Sequence, residues 1–224
     1  MSGIEVTGIQ VTGIEVMGMA PVAVGFFGKI PARGDFVRAG LPRSFTDPWD
    51  AWLQQVIAGS REVLGPRWRP AWMEAPVWHF SLPAGQCGRD PVLGLWMPSV
   101  DAAGRHFPLT LAHVGALPAR PEVWLEWAEQ VGLEALQCDL DPEALSRRLC
   151  EVLKSRVEGE PVLADLADGM AQWWTEGSPF VAPTRISLPA LPDIAIFAEM
   201  LVSVPHSDIG DRPDGPPGAG GVRG

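Results

Sequence analysis

The chain has 224 residues, 46% of them hydrophobic and 20% charged, with a formal net charge of −10. That length suits one domain that buries roughly two thirds of its unfolded surface and needs no staple. The negative balance argues against nonspecific binding to nucleic acid or to an anionic membrane surface. No apolar run reaches the ~18 residues of a spanning helix, so direct membrane insertion is not expected. Three cysteines with no close pair (Cys87, Cys138, Cys150) read as reduced thiols in a cytoplasm, not as a disulfide framework or zinc knuckle.

The opening twenty residues carry a five-residue repeat, GIEVT, GIQVT, GIEVM, whose period fits neither a helix nor a strand. Residues 1–20 are therefore predicted as a disordered leader, with Met17 or Met19 as an alternative start. Residues 21–204 are predicted as a single domain, and 205–224 as a disordered tail rich in Pro, Gly and Asp.

Residues 22–28 read as a buried strand. A tight turn follows, with Gly34 supplying positive φ and Asp35 bonding nearby amides. A helix is predicted from Asp47 as N-cap and Pro48 as first helical residue, stopped by Gly65-Pro66. Its core stripe is Trp49, Trp52, Leu53, Val56, Ile57, Val63 and Leu64. Strands are expected at 77–82, 92–97 and 105–113, with Asp101 to Gly104 as a hairpin turn. Helices follow near 121–136 and 142–155, with a short one near 161–167. Strands near 171–176 and 184–188 and a helix over about 193–202 close the domain. This order suggests an α/β fold, a mixed and largely antiparallel sheet with helices on both faces.

Residues 29–69 hold seven Lys/Arg against four Asp/Glu, a local charge of +3 against −13 elsewhere. Gly28-Lys29 lacks the hydroxyl and the earlier glycine of a phosphate loop, and Pro31 removes a donor. Arg33-Gly34-Asp35 reads as a turn, not an adhesion signal. The four histidines show no helical ligand spacing, and no nucleophile elbow occurs, so neither catalysis nor a metal or other cofactor is expected. Asp101 and Arg105 at the hairpin tip form either a local ion pair or a recognition point. Trp173 and Trp174 are adjacent on a strand and point to opposite faces, one into the core.

The segments GKIPARGDF (Gly28–Phe36), PWDAWL (Pro48–Leu53), APVWHF (Ala75–Phe80), MPSVDAAGRHFPLT (Met97–Thr110) and WWTEGS (Trp173–Ser178) occur in order along the chain. Together they resemble the TagF/ImpM family of type VI secretion. The resemblance runs from about Gly25 to about Leu201. It implies a three-layer α/β/α sandwich and a cytoplasmic, non-enzymatic regulator that represses secretion after translation. The partner it implies is the forkhead-associated scaffold protein of that system. His106 stands where an aromatic such as tyrosine is expected, and the phosphatase activity of the domain fused to some relatives is not expected here.

Two readings of the motif positions stay open. Lys29, Arg33, Asp35, Arg38, Asp101, Arg105, Trp174 and Glu176 either contact the partner or form one structural polar network. In the second reading Lys29 or Arg33 pairs with Asp101 or Glu176 and locks the loops.

Overall fold

The computed structural model describes residues 22–138, 140–155 and 169–203. The predicted leader, the tail and the short helix near 161–167 lie outside these residues.

Strand β1 (Ala23–Gly28) opens the described chain and turns back into β2 (Val37–Ala39), a three-residue edge strand too short for periodicity to reveal. Helix α1 (Arg43–Leu64) follows. It starts four residues before the predicted Asp47. Pro42 precedes the first turn, its carbonyl accepting the amides of Phe45 and Thr46 at 3.0 Å. Phe45 is buried and stacks on Trp49 at 5.4 Å, so packing extends the helix past Pro48, which sits inside it.

Helix α1 ends at Leu64 with Gly65 as its C-cap, where the stop is predicted, and a short 3-10 turn at Gly65–Arg67 then leads into α2 (Trp68–Met73). Burial in the last turn of α1 falls on Ser60 and Leu64, and Val63 is exposed, contrary to the predicted stripe. The neighbour at that end is Trp68, whose indole N–H donates to Ser60 at 2.9 Å.

Strands β3 (Trp78–Leu82), β4 (Val92–Met97) and β5 (Leu109–Val114) come next. Helices α3 (Pro121–Gln137) and α4 (Pro142–Ser155) both begin on proline, and the Asp141 carboxylate accepts the Ala144 amide at 2.7 Å. Strands β6 (Ala171–Thr175) and β7 (Thr184–Leu188) precede α5 (Ile194–Leu201), which Asp193 caps.

One seven-stranded sheet runs in the order β2-β1-β5-β4-β3-β6-β7. All six pairings are antiparallel, so the parallel component of the expected mixed sheet is missing among the described residues. Hairpins join β1 to β2, β3 to β4, β4 to β5 and β6 to β7, and helical connections carry the chain from β2 to β3 and from β5 to β6 across intervening strands.

Strand alternation divides the core into two layers. Phe27, Trp78, Phe80, Trp96 and Trp173 face α1, α2 and α5, where Trp49, Trp52, Trp72 and Phe197 fill the space. Phe26, Leu93, Leu95, Leu109 and Leu111 face Trp124, Val131, Leu145 and Leu149 of α3 and α4. The result is a three-layer α/β/α sandwich. Most buried indoles find an acceptor: Trp49 donates to Thr110 at 3.0 Å, Trp52 to the Pro192 carbonyl at 2.7 Å, Trp78 to the Met200 carbonyl at 3.0 Å.

The register positions the site. Gly28 stands opposite both Val37 and Leu109, and Met97 opposite Leu109. The β1–β2 turn and the β4–β5 hairpin therefore emerge at the same end of the sheet.

Candidate functional site

Lys29 leaves β1 immediately after Gly28, whose φ of 140° and close approach to Pro108 admit no side chain; a Cβ would lie 1.9 Å from the Pro108 carbonyl oxygen. This turns Lys29 inward. Its ammonium donates to the Asp101 carboxylate, with both side chains almost wholly out of water. Lys29 also lies 4.8 Å from the ring centre of Phe36. A buried, paired lysine offers nothing to a phosphate.

Asp101 organises the hairpin tip. Its Oδ1 accepts the amides of Ala103 at 2.9 Å and Arg105 at 2.8 Å, and its Oδ2 accepts Arg105 Nε at 2.8 Å. Burial alone would raise its pKa, but the hydrogen bonds from Lys29 and Arg105 hold it down at about 2. Arg105 also donates to the Gly34 carbonyl, and the Ala102 amide donates to the Arg33 carbonyl at 3.2 Å. Two loops far apart in sequence are thus tied into one body. The predicted strand over 105–113 begins only at Leu109, because residues 105–108 belong to this tip.

The Arg33 amide donates to the Ile30 carbonyl at 3.2 Å, closing a turn with Pro31 at its second position. Gly34 has no positive φ, so the expectation for that glycine moves to Gly28; Gly34 contributes its carbonyl. Arg33 and Asp35 are exposed, and Arg38 is half-buried on β2. Phe36 is 38% exposed while packing edge-on against Phe107 at 4.7 Å and stacking on Phe27 at 5.8 Å. Sequence reasoning passed over Phe36, although an aromatic directly after a polar turn is the signal that marks it.

Trp174 and Glu176 stand apart. Trp174 is half-buried on the other side of the sheet, stacked on His79 at 5.5 Å with Arg185 lying 4.8 Å over its ring. Trp173 is fully buried, so the two tryptophans do take opposite faces. Glu176 is exposed after β6 and takes no part in the network. His79 pairs with Glu129 at 2.8 Å, and His113 is buried edge-on against Trp124 at 5.7 Å. Burial pushes the His113 pKa down to about 4.

Pro31, Ala32, Arg33 and Asp141 line a shallow depression of about 380 Å³, open to solvent. No group of three or more His, Cys, Asp or Glu among the described residues could hold a metal ion, and no described helix is long and apolar enough to cross a membrane.

The fold and this corner define a sandwich domain whose outward-facing loops are pinned by a buried ionic network. Residues 25–152 match the family described as "TagF N-terminal domain, Type VI secretion system-associated", and the chain belongs to that family. It is similar to PA0076 from Pseudomonas aeruginosa PAO1, known as a crystal structure, with 29% identity and a TM-score of 0.69. The similarity covers 89% of this chain and 100% of that one. Among curated proteins none gives a significant match.

Proposed function

We propose that this type VI secretion-associated protein is a cytoplasmic, non-enzymatic regulator that represses secretion after translation by binding the forkhead-associated scaffold protein. One observation carries the reading. The motif-bearing loops use their charges inward to fix each other, and the same geometry presents Arg33, Asp35 and Phe36 to solvent on a rigid base. Preorganised loops with an aromatic anchor suit a protein partner, because little ordering entropy remains to be lost on binding.

Deletion of the gene with secretion measured tests the repressor role. Increased secretion is expected, and decreased secretion would make the protein an assembly part. Co-purification with the scaffold, weakened by Arg33→Glu in a protein of unchanged melting temperature, tests the binding. A catalytic role is tested separately: ATP, GTP or a divalent metal is expected to leave the melting temperature unchanged.

A further inference from the structure

Where the β4–β5 hairpin meets α1 and α2, it forms a second surface around His106. His106 packs edge-on against Trp68 at 5.3 Å and Trp72 at 6.3 Å, two rings that stack on each other at 5.1 Å. The Arg61 guanidinium lies over the outer face of this aromatic floor, 4.3 Å from the Trp68 ring centre. Arg69 and Met73 are four residues apart on α2 and share its exposed face; Met73 is 57% exposed. Arg67 is exposed on the turn between the helices.

These arginines differ from others in the molecule. Arg105 and Arg148 pair with Asp101 and Glu134, whereas Arg61, Arg67 and Arg69 have no carboxylate within ion-pair distance among the described residues. Their field reaches the imidazole: burial first, then the charges of Arg61 and Arg69, lower the His106 pKa, opposed by Asp101. An arginine stacked on tryptophan is held in place before any ligand arrives and keeps its donors free for a carboxylate.

We propose that this face, the outer side of α2 with the end of α1 and the His106 side of the hairpin, docks an acidic segment of the partner protein. Arg61, Arg67 and Arg69 take its carboxylates, and Met73 takes a neighbouring apolar side chain. The inference rests on the scaffold-binding reading and goes beyond it by adding to the Arg33–Phe36 loops a second face and the chemistry it recognises. A short acidic protein segment fits better than a long polyanion, because the −13 carried outside residues 29–69 repels an extended negative chain.

The test is calorimetric titration of purified scaffold into four proteins: wild type, Arg61→Glu/Arg69→Glu, Arg67→Glu/Arg69→Glu and Arg43→Glu. The second double variant leaves the Arg61–Trp68 stacking intact should the first fail to fold. Arg43 is exposed on the same helix about 27 Å away and controls for charge alone. Both double variants are expected to bind about tenfold or more weakly, with Arg43→Glu unchanged and wild-type affinity falling as salt rises. Equal affinity in all four overturns this inference and leaves the scaffold-binding reading standing; no binding by wild type overturns both. Self-association of wild type that the double variants abolish, or duplex DNA binding lost in them, would assign the face to a second copy or to nucleic acid and overturn the proposal.

Discussion

Lys29 and Asp101, 72 positions apart in sequence, meet as a buried ion pair that joins the β1–β2 turn to the β4–β5 hairpin. Taking two charges from water is costly, so the pair contributes mainly by making each partner indispensable to the other. Lys29→Met leaves a buried carboxylate with only Arg105 as cation and is expected to cost about 3 kcal/mol in urea unfolding. Asp101→Ala should cost more, because the Ala103 and Arg105 amides also lose their acceptor. An unchanged urea midpoint in either variant would remove the network from the list of stabilising features.

Acid should act in two windows. The folded-state pKa of His113 lies near 4, below the ordinary value of 6.5, so the unfolded chain takes up the proton first. The associated stability is complete above pH 6.5 and is lost as pH falls towards 4, on the order of 3 kcal/mol in all. His113→Phe keeps the edge-on contact with Trp124 and should flatten this part of the profile. Asp101 acts lower: its pKa drops from 3.8 to about 2 on folding, so its contribution is lost between those values. Melting temperature against pH in the two proteins separates the windows.

The glycines of the Gly28–Phe36 stretch should respond unequally. Gly28→Ala places a methyl 1.9 Å from the Pro108 oxygen at a φ of 140° and should destabilise by well over about 1 kcal/mol. Gly34→Ala meets nothing within 4 Å and should be nearly neutral. Denaturation midpoints that rank the two the other way would contradict the assigned turn.

Thiol labelling should be graded. Burial pushes the Cys87 thiol up to about 12, and its Sγ donates to the Phe45 carbonyl at 3.8 Å. Cys138 is exposed and Cys150 half-buried. Under native conditions iodoacetamide is expected to modify Cys138 first and Cys87 only after unfolding, read by peptide mass spectrometry.

Elements with strong local signals were legible from the chain. Apolar runs bounded by turn residues marked the long strands, and Pro121 and Asp141-Pro142 marked the starts of α3 and α4. The start of α1 was not, because the local preference for Asp47-Pro48 as a helix entrance lost to the packing of Phe45 on Trp49. Edge strand β2 was hidden because three residues carry no period, and it exists only as the partner of β1.

At the site, the residue types were readable from the motifs, which hold Lys29, Arg33, Asp101 and Glu176 as candidate members of one network. Sequence could not choose between Asp101 and Glu176 as the lysine's partner. Sheet order decides that: β5 lies beside β1, whereas β6 lies four positions from β1 in the sheet. Nor could it find the Arg61–Trp68–His106 corner, whose members come from two helices and a hairpin. Composition and spacing by themselves determined a layered α/β domain, because burial and turn chemistry act over a few residues. Which charges lock the fold and which face solvent depends on strand register and helix packing, and only the tertiary structure brings those distant groups within reach of one another.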